Sequence, residues 1–418
     1  MRRLGGSFAA LGDRPFRLLF AAQTISLLGD GLALVALTFA VLDLTGSASD
    51  LGLVLASRTV PLVGLLLVGG VFADRLSRRS VMVVADLTRL GSQGLTAALL
   101  LSRHAQIWQL AVLQAVHGAA SAFFNPAPTG LVPMTVSPEH LQQANGLRAL
   151  STSGANIVGP IIGGLLVALA GAGWALAVDA ATFAASAAFL ARLGLAAQVH
   201  PPARSFLHDL RAGWHEFRGR TWVWLYVTWA SLGNLGMAAF MVLGAVVARQ
   251  SLGGAAAWGL IMAAFGAGAL LGSISALQLH VHRPLVVAAG TLSALALPAA
   301  AMALALPLLV VAVAALAGGG ALMLANTLWE TALQRHIPTE ALSRVSAYDW
   351  FGSLAFTPIG YALAGPLGAR IGVAPTLWIV AAFFALSAPC IAALPSMRGV
   401  RERADGPATA SPESSEQS

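Results

Sequence analysis

Gly70-Val71-Phe72-Ala73-Asp74-Arg75-Leu76-Ser77-Arg78-Arg79 is a short, charge-dense stretch between two long apolar runs. The flanking runs, Leu51 to Val71 and Ser80 to Leu101, are each long enough to cross a bilayer, which takes about 20 apolar residues. Arginines crowded into the turn between two spans mark the cytoplasmic side, because basic loops resist translocation. A plain connector needs only the positive charge. This one also sets an aspartate beside arginines and a glycine where the helix meets the turn, a pattern that reads as an ionic latch.

Composition agrees with a membrane setting. The chain has 418 residues, of which 57% are hydrophobic and 10% charged. A soluble protein of this size carries charge on about a quarter of its residues, so most of this surface is expected to face lipid. The cationic residues are all arginine, with no lysine. Nucleic-acid binding would need a basic patch on a folded soluble domain, and no segment supplies one. The single cysteine, Cys390, lies in an apolar run and offers neither a disulfide framework nor a metal cluster. The first apolar run is full length, so no cleavable signal peptide is read into it. No phosphate-cradling loop and no catalytic constellation is present, so the chain is read as neither an enzyme nor a direct user of ATP. No cofactor is expected.

Apolar stretches long enough to span recur from 16–42 to 373–394, about twelve in all, the eleventh being 343–368. An even count puts both termini on one side. Arg103, Arg249 and Arg370 fall on the opposite side, and the other loop and terminal arginines fall on the terminal side. Both termini are therefore expected in the cytoplasm. The chain divides into a six-helix half (1–193), a linker (194–221), a second six-helix half (222–397) and a disordered polar tail (398–418). The linker looks amphipathic around Phe206, Leu207, Leu210, Trp214 and Phe217, which suits a helix lying along the membrane surface.

The halves repeat. A single ungapped offset of 201 residues lays Asn125 on Asn326, Glu139 on Glu340, Gly159 on Gly360 and Gly164 on Gly365. A similar shift lays Leu28-Gly29-Asp30 on Leu232-Gly233-Asn234. Parallel repeats of this kind place a substrate site between the halves near the midplane. The second copy of the latch is lost: Leu277 to Arg283 stand in its place.

The opening stretch resembles the loop between helices 2 and 3 of the major facilitator superfamily, through Gly70, Ala73, Asp74, Arg75, Arg78 and Arg79. It departs at Phe72 and Ser77, where the family usually has leucine and glycine. Helix 5 carries Gly159-Pro160-Ile161-Ile162-Gly163-Gly164, similar to the Gly-Pro-x-x-Gly-Gly signature of exporters in that superfamily, with Ala155 where a further glycine is usual. Arg14-Pro15-Phe16-Arg17, Gly29-Asp30-Gly31 and the run from Arg79 to Arg89 look like the branch that holds macrolide-efflux and enterobactin-exporter proteins. The resemblance implies an all-α integral membrane protein of two six-helix pseudo-repeats in the bacterial cytoplasmic membrane. It implies efflux of a small amphipathic molecule by alternating access, driven by proton antiport.

Charges inside spans are expensive and are functional candidates. Asp30 lies roughly 21 Å into helix 1 at the usual helical rise. Arg58, Asp179 and His117 lie near the same depth. These four are the proton-coupling candidates; the competing reading is a permanent Asp30–Arg58 ion pair. Asp86 and Arg89, three apart on helix 3, read as a structural pair. Gln114 stands where many proton-coupled relatives have arginine. With Asn156, Asn234 and Asn326 it is a candidate for the substrate cavity. Asp349, at the repeat position of Arg148, is expected to pair with Arg75 or Arg78 and complete the latch, while Asp74 caps the start of helix 11. Trp224, Trp229, Phe240, Met237, Met241, Met262 and Trp329 read mainly as packing. Other readings on the same fold are an importer or facilitator, and a non-transporting sensor or lipid-handling protein. The partners expected are the bilayer and a small-molecule substrate, on a monomer.

Overall fold

A computed structural model describes residues 9–75, 77–194, 213–279 and 281–400, the side chains of 67–75, 339, 340, 343 and 344 excepted. The described residues form helices and turns, with no strand among them. The long rods are α1 (Arg14–Thr45), α2 (Ala48–Arg75), α3 (Arg78–Leu101), α4 (Ile107–Phe124), α5 (Leu141–Ala170) and α6 (Ala172–Ala191). They continue with α7 (Thr221–Val247), α8 (Ala255–Gln278), α9 (Pro284–Ala303, with a 3-10 turn at Leu292–Leu295), α10 (Leu308–His336), α11 (Thr339–Leu354 and Thr357–Ile371) and α12 (Val373–Ala393).

By length and composition, 10 helices among the described residues could cross a membrane. The sequence expectation of about twelve exceeds this by α3 and α11, each for a physical reason. α3 carries Arg78, Arg79, Asp86 and Arg89, which lower its mean hydropathy. α11 is not the continuous rod expected over 343–368. It breaks at Ala355-Phe356 before Pro358, whose missing N–H cannot continue the backbone ladder.

Packing follows a repeated scheme. α1 packs on α5 and α6, α2 on α4, and α3 on α4 and α6. Six helices on, α7 packs on α11 and α12, α8 on α10, and α9 on α10 and α12. The two sets meet along α5–α8 and α2–α11. The turns repeat as well. Gly171 (φ 89°) joins α5 to α6, and Gly372 (φ 95°), displaced by the same 201 residues, joins α11 to α12. Positive φ at both positions requires glycine, since a Cβ would strain the backbone.

Small residues let the rods approach closely. A Cβ on Gly159 would lie 2.8 Å from Gly31 Cα, and one on Gly163 2.5 Å from the Leu32 carbonyl oxygen, so both glycines face α1. Gly164 faces the other way, with its Cβ position 2.6 Å from the Ala255 carbonyl oxygen of α8. The second half copies this. Gly360 packs on Leu235 of α7 and Gly365 on Ser49 of α2. Gly164 and Gly365 thus lie on the seam between the halves, and Gly159, Gly163 and Gly360 pack within a half. The seam lies toward the end away from the termini, where Arg249 Nε also meets Asp43 Oδ1 at 3.2 Å. The structure is closed at that end.

The linker lies partly outside the described residues, including Phe206, Leu207 and Leu210. Residues 213–218 are helical, and Trp214 and Phe217 pack on Tyr348 of α11 at ring distances of 5.5 and 5.8 Å. The described end of the linker is therefore docked on the second half. Of the tail expected over 398–418, residues 401–418 lie outside the described residues.

Candidate functional site

The first half holds two apolar clusters with a polar layer between them. One cluster runs through Phe16, Leu19, Met82, Phe124 and Leu147 near the terminal end. The other takes Leu32 to Leu42, Leu51 and Leu176 and continues across the seam into the second half. The layer between is built from α1, α2, α3, α4 and α6.

Asp30 is its centre. Arg58 Nη2 donates to Asp30 Oδ1 at 3.2 Å. Arg89 Nη1 lies 3.5 Å from Asp30 Oδ2, and His117 Nε2 lies 3.8 Å from Asp30 Oδ1. The carboxylate therefore sits between two guanidiniums and an imidazole. Arg89 also donates to Asp86, and Ser186 Oγ donates to the other Asp86 oxygen at 2.6 Å. Phe124 and Phe183 cover the Arg89 guanidinium at 3.9 and 4.5 Å, a cation–π arrangement that keeps water away from it. Asp30 is 29% exposed and Arg89 only 2%, so the carboxylate, not its structural arginine, is the part a solute can reach.

Asp179 sits one step away. Gln93 Nε2 donates to Asp179 Oδ2 at 2.7 Å, and Gln114 Nε2 donates to Gln93 Oε1 at 2.9 Å. Asp179 lies against α1 at Gly29, where a Cβ would stand 2.5 Å from Asp179 Oδ1 and 2.1 Å from Thr182 Oγ1. Gly31, on the other side of Asp30, meets α5 at Gly159. The Gly29-Asp30-Gly31 triplet is thus explained locally. Two glycines bring α6 and α5 against α1, and the carboxylate between them is held in the polar layer.

The structure brings Asp30, Arg58 and His117 into direct proximity and links Asp179 to Gln114 through Gln93. The Asp30–Arg58 pair is present. Arg89, read from the sequence as structural only, is also a partner of Asp30. Gln93 was missed, although Asp86, Arg89 and Gln93 recur at helical spacing on one face of α3, which is a legible signal. Gln23 and Ser26 were missed too, and with Asp30 they form a comparable stripe on α1.

The other candidates are scattered. Asn156 and Asn326 are exposed on α5 and α10. Asn234 Nδ2 donates to the Ser353 carbonyl oxygen at 3.1 Å. Gln114 is buried in the Gln93 chain and does not line the cavity beside Asp30. Of the latch, the side chains of Gly70, Asp74 and Arg75 lie outside the described ones. Arg79 donates to the carbonyl oxygens of Leu190 and Ala191 and so ties the start of α3 to the end of α6. Arg78 runs beside Gly130. The described partners of Asp349 are Trp329, whose Nε1 donates to it at 3.1 Å, and Ser353 at 3.5 Å. The pairing of Asp349 with Arg75 or Arg78 is expected when the cytoplasmic side is shut, and here Asp349 is held by α10 instead. It is buried on the side of α11 that meets α10 and α7, where Tyr226 stacks on Trp329 at 4.1 Å. Trp229, Phe240, Met262 and Trp329 are core residues, as expected for packing, and Trp224 is exposed.

A cavity of about 160 Å³ opens beside Asp30 on the terminal side of the layer, between α1, α3, α4 and α5. Phe20, Gln23, Ser26, Arg89, Asn125 and Arg148 are among its walls.

The arrangement has relatives. The family described as transmembrane secretion effector matches residues 5–413. The enterobactin exporter EntS of Escherichia coli O1:K1 is 31% identical over 364 residues, covering 85% of this chain and 86% of that protein. The uncharacterized MFS-type transporter YfiS of Bacillus subtilis (strain 168) is 33% identical over 173 residues, 41% of this chain and 40% of that protein. Among solved structures, the nucleoside transporter NupG superposes with a TM-score of 0.70 at 13% identity, covering 90% of this chain and 98% of that one. A bacterial homolog of the human lysosomal transporter Spinster, inward-facing and unoccupied, superposes with a TM-score of 0.65 at 15% identity, covering 92% and 97%. By sequence and by fold, the chain belongs to the transmembrane secretion effector family of the major facilitator superfamily, whose members are multi-pass transporters of the bacterial cytoplasmic membrane.

Proposed function

We propose that the chain is a secondary active exporter that moves a small amphipathic molecule out of the cytoplasm by alternating access, in exchange for protons. The observation that carries this reading is the Asp30 layer. A carboxylate held by two arginines and a histidine inside a bundle is costly, and such groups mark ion and substrate pathways. Asp30 also borders a cavity, so its protonation and the occupancy of that cavity can be linked. Rocking of the halves would change how far water reaches Asp30, and with it the proton's affinity. The export direction is supported by the identity with an enterobactin exporter and by the exporter-like Gly159-Pro160-Ile161-Ile162-Gly163-Gly164 of α5.

In this reading α3 and α11 also cross the membrane, giving twelve spans with both termini in the cytoplasm. The halves then correspond to 1–193 and 222–397. The closed end, with Asp43–Arg249, is extracellular, and the cavity faces the cytoplasm. The 70–79 stretch, with Gly70, Asp74, Arg75, Arg78 and Arg79, acts as a latch when the cytoplasmic side shuts. No resident cofactor is needed, since the proton gradient supplies the energy, and a monomer suffices.

The test is proton release from inside-out vesicles challenged with macrolides, dyes and siderophores, for wild type and Asp30→Asn. A substrate-triggered leak that the substitution abolishes is the expected result. A leak that survives it makes the Asp30–Arg58 pair structural. No leak with any compound, despite normal expression, removes the antiport reading and favours a facilitator.

A further inference from the structure

The cavity beside Asp30 is rich in hydrogen-bond donors that have nothing to bond. Gln23 is 7% exposed and Ser26 2% exposed, and neither Gln23 Nε2 nor Ser26 Oγ has a partner among the described residues. Arg148 supplies the charge. Its Nε donates to Gln23 Oε1 at 2.9 Å, a neutral acceptor, and it has no carboxylate partner among the described residues. That bond also uses the oxygen of Gln23 and leaves its amide donors unpaired.

Physical bookkeeping makes this arrangement unusual. Unpaired buried donors are destabilising, and a guanidinium inside a bundle is more so. Asp30 does not relieve Arg148, because Arg58, Arg89 and His117 already surround it. The missing component is an anion with several acceptor atoms. A guanidinium fork matches a carboxylate or phosphate edge on. The cavity is smaller than the several hundred Å³ usual for a whole drug-sized ligand, so it suits an end group. Phe20 and Phe124 form apolar walls next to the donors, which favours an anionic group carried on an aromatic ring.

We propose that this cavity is a subsite for the anionic, acceptor-rich end of the exported molecule, with Arg148 as its charge partner and Gln23 and Ser26 as donors. The word "exported" rests on the function proposed above; the subsite itself does not. The cargo is then an organic acid or phenolate, not one of the lipophilic cations.

The experiment uses the full chain in lipid nanodiscs, with salicylate as probe and salicylamide as its neutral counterpart, followed by thermal unfolding and intrinsic tryptophan fluorescence. Salicylate is expected to bind saturably and raise the unfolding midpoint, and salicylamide to do neither. Arg148→Gln should weaken salicylate about tenfold or more, the loss expected for a charged hydrogen bond, and Arg148→Lys should retain part of the binding. Gln23→Glu guards against a variant that merely fails to fold. It supplies the missing carboxylate internally, so it should raise the midpoint of the empty protein while abolishing salicylate binding. Equal binding of the acid and the amide, unchanged affinity in Arg148→Gln, or undiminished binding in Gln23→Glu would overturn the subsite. So would a lack of saturable binding by salicylate, benzoate and inorganic phosphate alike. Salicylate binding without coupled flux in vesicles would leave the subsite and remove the transport reading. Coupled flux of cations with no anion binding would remove the subsite alone.

Discussion

In the first half Asp30 lies among Arg58, Arg89 and His117, and at the matching place in the second half Asn234 donates to a backbone carbonyl. The rest of the layer is replaced in the same way. Gly118 packs on the Arg58 carbonyl and Gly319 on the Phe265 carbonyl, so Phe265 stands where Arg58 does. The repeat offset sets Gly318 against His117. Gly29 faces Asp179, and Gly233 faces the Phe383 and Phe384 rings. Arg148 is answered by Asp349, which is held by Trp329. The first core is cut by a polar layer, and the second runs through apolar and aromatic residues. Two halves can share helix packing, seam glycines and turns while differing in nearly every titratable side chain. Backbone approach constrains the first set; only local chemistry constrains the second.

The largest effect that would break this asymmetry comes from Asp30. Removing the anion between two guanidiniums should cost about 3–5 kcal/mol, the range for a buried pair broken on one side. Asn234→Ala should cost about 1 kcal/mol, the worth of one neutral hydrogen bond. Denaturant unfolding in mild detergent of Asp30→Asn and Asn234→Ala checks both, and equal losses would remove the asymmetry.

The glycines give a sharper contrast. Gly29→Ala would put a Cβ 2.1 Å from Thr182 Oγ1, while Gly233→Ala would meet the edge of the Phe384 ring at 3.3 Å. The first should lose about 1–3 kcal/mol by overpacking. The second should be near neutral, because alanine regains helix propensity of up to about 1 kcal/mol. Melting temperatures of the two variants decide it.

Asp349 tests what the buried acid of α11 does. Asp349→Ala leaves the buried Trp329 N–H without its acceptor and should cost about 1–3 kcal/mol. Asp349→Asn keeps an acceptor and should cost less. A shift in Trp329 fluorescence that tracks the alanine variant, and not the asparagine one, is the expected signature.

The smallest effect on stability is expected at the closed end. Asp43 and Arg249 are exposed, and an exposed pair is worth about 0–1 kcal/mol. Arg249→Gln should barely change melting. It should still lower labelling of Asn156→Cys, in a Cys390→Ser background, by a reagent added from the cytoplasmic side. Unchanged labelling would mean that the pair does not bias the two ends.

The membrane setting, the repeat and the close-packing glycines of helix 5 are legible along the chain. Lipid demands long apolar runs, and close helix approach demands glycine at fixed intervals, so both leave marks along the chain. Gly159 and Gly360 are legible for that reason, and so is Asp30, a charge in an apolar run. Tertiary structure alone decided the partners. Arg89 was matched to Asp86 by helical spacing, yet its second bond, to Asp30 on α1, depends on how α1 and α3 face each other. Asp349 is expected at the arginine turn when the cytoplasmic side is shut, and the rotation of α11 also gives it a partner in Trp329. Gln23, Ser26 and Arg148 are unremarkable as letters. They become a donor-lined cavity only when α1 and α5 are brought together by Gly31 and Gly159, because periodicity fixes which face a side chain occupies, and packing fixes what that face meets.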